Sequence, residues 1–299
     1  AVKFLNSRTA VFYVILALSV HAFCALAVIR KYNFNPTALL RFGNYYVEQN
    51  RDLTPSGSVF FSGNEEHGGN GYDGQIFYFY ARSLFIQGKW PVGFSNAYRA
   101  PRIGYPALAA LFTPFGSYGV FLGMLFWQYL LSGISVFLLH RLLSTDLKYL
   151  TIFFALSPFS IQSVNLLVSD SVVVSLVVIG YYFFHHRNFI ASFLFFSLAL
   201  LTKESSLFFL FPLGLCALLK KDFRASALLV LVLLPFAAWQ IYLKEAHGFL
   251  PAGILKIFLS PFDGIIGLAK NTISLTVDTI QDRGASAGAL FKIGARVLP

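Results

Sequence analysis

Charge is what this sequence has little of. Of its 299 residues 12% are charged and only 13 are Asp or Glu, where a soluble domain carries about 25% charged residues. That shortage, with 57% hydrophobic residues and a mean hydropathy of +0.66, excludes a disordered chain, a collagen-like chain and a soluble nucleic-acid binder. Cysteine is scarce too. Cys24 and Cys216 both lie inside apolar segments without metal-type spacing, so they read as packing residues. No Lys/Arg-rich run is present, and the formal charge of +10 reads as basic loops beside anionic lipid headgroups rather than as a nucleic-acid surface. An internal repeat of the carrier type is missing as well. What is abundant is Phe (34) and Tyr (15). The remaining class is an integral, all-α membrane protein.

A membrane-crossing helix needs about 20 apolar residues. The first candidate covers 9–29, long enough to span and without a polar cleavage region, so it reads as a retained first helix with a basic start at Lys3 and Arg8. A polar-aromatic stretch occupies 30–102. Apolar blocks follow at 103–115, 117–139, 149–168, 171–184, 189–201, 205–219 and 225–243. The expected fold is a polytopic helical bundle of about 7–9 membrane segments, with a core over 1–245. Its long first loop carries a helix lying in the interface from Gln75 to Ile86, with Arg82 on the wet side. The stretch 246–299 reads as a re-entrant or interfacial C-terminal segment, broken by Pro261, Asp263 and Gly264.

Sides follow from the breaks. With the N-terminus inside, the inner breaks hold His140, Arg141 and Lys148, then His185, His186 and Arg187, then Lys220, Lys221 and Arg224, as the positive-inside rule asks. The residues that are out of place in apolar surroundings then share the outer side. They are Asp73, Arg99, Arg102, Asp170, Lys203 and Glu204. The expected location is a plasma membrane of bacterial type, with the N-terminus cytoplasmic.

Asp73 follows glycines at 68, 69 and 71 and precedes Gly74, so it can sit at a tight bend. It reads either as a helix N-cap or as a carboxylate offered to a ligand. Arg99 and Arg102, three residues apart around Pro101, read either as a phosphate clamp or as an anchor among headgroups. Lys203 and Glu204 read as a local ion pair or as pocket residues, and Asp170 as a cap or a pocket residue. Glu65, Glu66 and His67 are weak metal-ligand candidates. Adjacent carboxylates on a glycine-rich loop are mostly solvated, so no metal and no cofactor are expected. Pro158 and Pro212 read as residues that start or kink helices, and His21 as a packed helix residue.

Four stretches in order, over about 9–245, give the chain a familiar look. They are Tyr72-Asp73-Gly74 before the aromatic helix, Arg102-Ile103-Gly104-Tyr105-Pro106, Ser157-Pro158-Phe159 with Ser169-Asp170-Ser171, and Leu200-Leu201-Thr202-Lys203-Glu204. The set resembles the GT-C superfamily of multispanning glycosyltransferases, and within it the PIG-V-like mannosyltransferases. Tyr72 stands where that family has Trp, and Lys203 where it has Arg. The resemblance implies sugar transfer from a polyprenyl-phosphate donor to an acceptor at the non-cytoplasmic face. It makes Asp73 the general base, and Arg99, Arg102 and Lys203 the partners of the leaving phosphate. Asp170 and Glu204 would orient hydroxyls, and Tyr72 and Gln75 complete the binding set. Membrane lipids and partner subunits are the other expected contacts, with no nucleic acid. The alternatives are a non-catalytic subunit of a larger membrane complex and a transporter or lipid-binding protein.

Overall fold

The computed structural model describes residues 2–63, 71–86 and 89–249. Glu65, Glu66 and His67, and the C-terminal segment from 250 onward, lie outside the described residues. The chain divides into Ala1–Leu250 and Pro251–Pro299, and the account below concerns the first unit. The chain is mostly helical, and its helix ends fall close to the polar breaks of the sequence.

Three helical stretches are long and apolar enough to cross a membrane: Arg8–Arg30, Thr113–Leu142 and Phe223–His247. The first belongs to α1 (Val2–Arg30) and the second to α6 (Gly116–Leu142). The third joins α12 (Phe223–Leu231) to α13 (Leu233–His247) through Val232, whose backbone is itself helical. The other apolar helices are shorter. They are α9 (Asp170–His185), α10 (Phe189–Thr202) and α11 (Leu207–Leu219). The block at 149–168 breaks into α7 (Leu150–Ala155) and α8 (Pro158–Asn165). Pro158 starts α8, as a residue without an N–H can, and the Ser157 hydroxyl caps it by accepting from the Ser160 amide at 3.1 Å. α6 lies at the centre, against α1 on one side and α9 on the other, and α9 in turn packs on α10.

The first loop departs from a purely helical reading. Phe42–Gly43 (β1) pairs in parallel with Phe60–Phe61 (β2), and α2 (Asn44–Gln49) stands between them. The short helices α4 (Asn96–Arg99) and α5 (Gly104–Ala110) close the loop. The larger correction concerns α3 (Asp73–Ser83). Every residue of it except Asp73 and Arg82 is buried, and it packs against α5 and α6. It is therefore a core helix rather than one with a lipid face and a wet face. Its tyrosines can be buried because their hydroxyls are satisfied: Tyr78 donates to the Ser117 carbonyl at 3.1 Å, and Tyr80 to the Asn96 side chain. Cys216 also differs from expectation, since it is exposed on α11 while Cys24 is half-buried. His21 is fully buried, with its Nε2 3.1 Å from the Ala155 carbonyl.

Close backbone approach fixes how α3 meets the bundle. A Cβ on Gly74 would lie 2.2 Å from the Leu166 carbonyl oxygen, so the start of α3 rests directly on the end of α8. By contrast, a Cβ on Gly133 in α6 would meet the Leu18 side chain at 3.5 Å, an ordinary contact. Gly74→Ala is expected to lower stability by about 1–3 kcal/mol or to prevent folding. Gly133→Ala is expected to be neutral or to raise stability by up to about 1 kcal/mol, as alanine favours a helix interior. Thermal unfolding of the detergent-solubilised variants measures both.

Candidate functional site

Six of the sequence candidates come together as three ion pairs. The Arg99 Nη1 donates to the Asp73 Oδ2 at 3.0 Å. The Arg102 Nε donates to the Glu204 Oε2 at 2.9 Å while its Nη2 donates to Oε1, a bidentate fork. The Lys203 ammonium donates to the Asp170 Oδ1. Lys203 and Glu204, neighbours in sequence, thus pair with different elements and not with each other, which corrects the local-pair reading.

Each carboxylate occupies the first turn of a helix: Asp73 in α3, Asp170 in α9, and Glu204 in the short 3-10 turn Glu204–Ser206 that leads into α11. Unpaired amides and the helix dipole favour a negative charge there. Lys203 caps the C-terminal end of α10, where a positive charge is favoured for the same reason. Asp73 is not the cap of α3. Tyr72 holds that position in extended backbone, and the Tyr72 amide donates to the Arg41 carbonyl at 3.0 Å.

The helix ends that carry these groups are packed side by side. Gly74 touches Leu166, four residues before Asp170. A Cβ on Gly104 would come within 2.4 Å of the Thr202 hydroxyl, so the start of α5, just past Arg102, abuts the end of α10, just before Lys203. A buried polar net fixes the α8–α9 junction. Gln128 of α6 donates to the Val168 carbonyl at 2.5 Å and accepts from the Ser171 hydroxyl. The Ser163 hydroxyl accepts from the Ser171 amide at 2.9 Å. Ser171 is thereby spent on structure, which leaves Asp170 as the polar side chain of that motif turned toward the charged group.

The pairs differ in depth. Arg102 and Glu204 side chains are 11% and 15% exposed, whereas Arg99 and Asp73 are 23% and 43% exposed. Burial alone would raise the Glu204 pKa, but the Arg102 hydrogen bonds and charge outweigh it and hold the carboxyl below its usual range. Tyr98, which sequence reasoning passed over, lies under both arginines. Its ring centroid is 4.3 Å from the Arg102 guanidinium and 5.0 Å from that of Arg99, and its hydroxyl accepts from the Arg102 Nη2 at 2.8 Å. Trp239 of α13 was passed over too. Its indole N–H donates to the Ala100 carbonyl at 2.9 Å and pins the segment between the two arginines. A Tyr beside two Arg was the available signal for the first; a contact spanning 139 residues left none for the second.

Gln75 is buried, and its Oε1 accepts from the Gly43 amide at 2.9 Å, so it braces the first loop and does not face a ligand. Tyr72 is half-exposed at the rim. Among the described residues no three His, Cys, Asp or Glu side chains gather as a metal site. No protein-family model matches the chain, and no curated protein or solved structure is significantly similar to it.

The Arg102–Glu204 pair gives a stability test. Removing one partner strands the other charge, so Glu204→Gln is expected to cost about 2–3 kcal/mol, below the range for a fully dry pair. The double variant Arg102→Met with Glu204→Met should be less destabilised than the sum of its single changes. Because the folded pKa of Glu204 is depressed, its contribution is full above the unfolded value near 4.5 and is lost as pH falls through the folded value. Acid melts below about pH 4.5 should therefore be less steep for Glu204→Gln than for the parent chain.

Proposed function

We propose that the chain is a multi-pass membrane glycosyltransferase that moves a sugar from a polyprenyl-phosphate donor to an acceptor hydroxyl at the non-cytoplasmic face. The observation that carries this reading is the Asp73–Arg99 pair, at 3.0 Å and the more open of the two arginine pairs. The motif resemblance supplies the chemistry. The shorter helices α9, α10 and α11 would complete the crossing beside the three long ones, their ends shielded by protein and not facing lipid. The basic breaks argue for a cytoplasmic N-terminus.

In this reading the acceptor oxygen forms a bond to the anomeric carbon as the bond from that carbon to the phosphate oxygen breaks. Asp73 takes the acceptor proton, and the departing lipid phosphate carries its electron pair to the cations. Arg99 is the cation best suited to receive the phosphate. Arg102 is already held along one edge by two hydrogen bonds to Glu204 and stacked on Tyr98, so its part is to position the loop that bears Arg99. A donor phosphate drawing Arg99 away would release Asp73 at the moment a base is needed. Asp170 and Lys203, both about 28–29% exposed, are open enough to meet sugar hydroxyls.

A second reading has one observation in its favour. All three cations are matched one to one by carboxylates, as expected of a charge lock in a non-catalytic membrane subunit. The two readings separate on Asp73. Asp73→Asn should lower sugar transfer from polyprenyl-phosphate sugars into a hydroxyl acceptor by about 10²–10⁴-fold with unfolding temperature nearly unchanged. Transfer at the parental rate would end the catalytic assignment, and loss of folding without any measurable transfer by the parent chain would favour the lock.

A further inference from the structure

At the end of the helices remote from Asp73, a cavity of about 200 Å³ opens between α9, α11 and the start of α12. α9 runs from Asp170 to His185, so the two regions lie roughly 24 Å apart at 1.5 Å per residue. Its lining includes apolar side chains such as Phe184 and Cys216, and α11 also carries the exposed Leu215 and Leu219. His185, Arg187, Lys220 and Asp222 line it as well.

The charges there do not balance. The stretches 140–148, 185–187 and 220–224 hold six Lys or Arg against two Asp, whereas Arg99, Arg102 and Lys203 beside Asp73 are each paired with a carboxylate, with Arg41 and Arg82 outside those pairs. Helix ends account for part of the surplus: Arg141 and Lys220 lie at the C-terminal ends of α6 and α11, where a positive charge is favoured, while the helix starts that follow are capped by neutral or acidic side chains. Asn188 caps α10, accepting from the Ala191 amide at 3.2 Å, and Asp222 caps α12, accepting from the Ala225 amide at 3.1 Å. Asp222 also takes Arg187 in an ion pair. Among the described residues Lys220 has no carboxylate partner. A cavity lined by both apolar and cationic side chains, with a cation that has no carboxylate partner, fits a particular chemistry: an anionic phosphate joined to an apolar chain.

We propose that this cavity binds the headgroup of an anionic phospholipid, with Lys220 and Arg187 on the phosphate and the acyl chain along Cys216 and Leu219. The site rests on the membrane reading and is independent of sugar transfer. Asp222 competes with the phosphate for Arg187 and so sets the affinity.

The test is binding of phosphatidylglycerol to the purified full chain in a neutral detergent, read by native mass spectrometry and by the shift in unfolding temperature. Phosphatidylcholine and inorganic phosphate serve as the comparison probes. Lys220→Gln should weaken phosphatidylglycerol binding about fivefold. Asp222→Asn should strengthen it, because Asn caps a helix as well as Asp does while freeing Arg187. Arg141→Gln removes a charge at the same end of the bundle but outside the cavity, and should leave the affinity unchanged. Equal binding of phosphatidylcholine, equal binding of inorganic phosphate, or equal weakening by Arg141→Gln and Lys220→Gln would each overturn the proposal. Opposite signs for Lys220→Gln and Asp222→Asn would support it and could not come from misfolding, which would weaken both.

Discussion

A charge drawn out of water at the end of a helix must find its opposite, and in this chain it does so across elements distant in sequence. Arg102 and Glu204 are 102 residues apart, Asp170 and Lys203 are 33 apart, and Asp73 and Arg99 are 26 apart. The three pairs therefore act as ties. They fasten the first loop to the break after α10, the start of α9 to the end of α10, and the start of α3 to α4. The cost of burying the members of such a pair is of the same order as their attraction, so the net contribution to stability is small. What the ties fix is register, because each cation is hydrogen-bonded to a different carboxylate and a slip of a helix end would break those bonds.

The close packing of backbone at the same end follows from that arrangement. Gly74 against Leu166 and Gly104 against Thr202 bring helix ends nearer than any side chain would allow. The Gly104–Thr202 contact sets the segment bearing Arg102 beside the end of α10, where Glu204 follows. The polar net of Gln128, Ser163 and Ser171 has the complementary role. It satisfies the backbone exposed where α8 stops and α9 begins, a requirement that has no solution in water-free surroundings other than internal hydrogen bonds. Glycine contact, hydroxyl net and ion pairs thus solve one problem, the termination of several helices at a common level inside an apolar protein.

Much of this was legible in the sequence, and what was not has a physical reason. The breaks at His140, His185, Thr202 and Lys220 coincide with helix ends because a charged residue in an apolar run is tolerated mainly where the run stops. The gathering of Asp73, Arg99, Arg102, Asp170, Lys203 and Glu204 followed from alternating the breaks between two sides. Their pairing did not, since nothing local told Lys203 to prefer Asp170 over its neighbour Glu204. The setting of α3 was also hidden. Ile76-Phe77-Tyr78-Phe79-Tyr80 reads as interfacial because tyrosine favours a wet boundary. A run of five apolar and aromatic residues also reaches every side of a helical turn and suits a core helix, and the deciding fact, partners for both hydroxyls, is tertiary. Gln75 misled for the same reason: a polar side chain beside Asp73 looked available, while the Gly43 amide already held it.

The contrast between the two ends of the bundle bears on how such a protein works. Where cations and carboxylates match one to one, the site has no standing appetite for an anion, and a phosphate must displace a carboxylate to be held. The Asp73–Arg99 pair can yield in this way. Its members are the more exposed, and Arg99 is held at a single hydrogen-bond distance where Arg102 is held at two. Under the proposed transferase reading, displacement would couple arrival of the negative ligand to exposure of the Asp73 carboxylate, so that a base would appear only when the group it serves is present. At the other end the proposed lipid site would need no displacement except at Asp222, which holds Arg187. One bundle thus has an end where Arg99, Arg102 and Lys203 are each paired with a carboxylate and an end where Lys and Arg outnumber Asp. The difference arises from where thirteen acidic residues fall in a chain that has few charges to distribute.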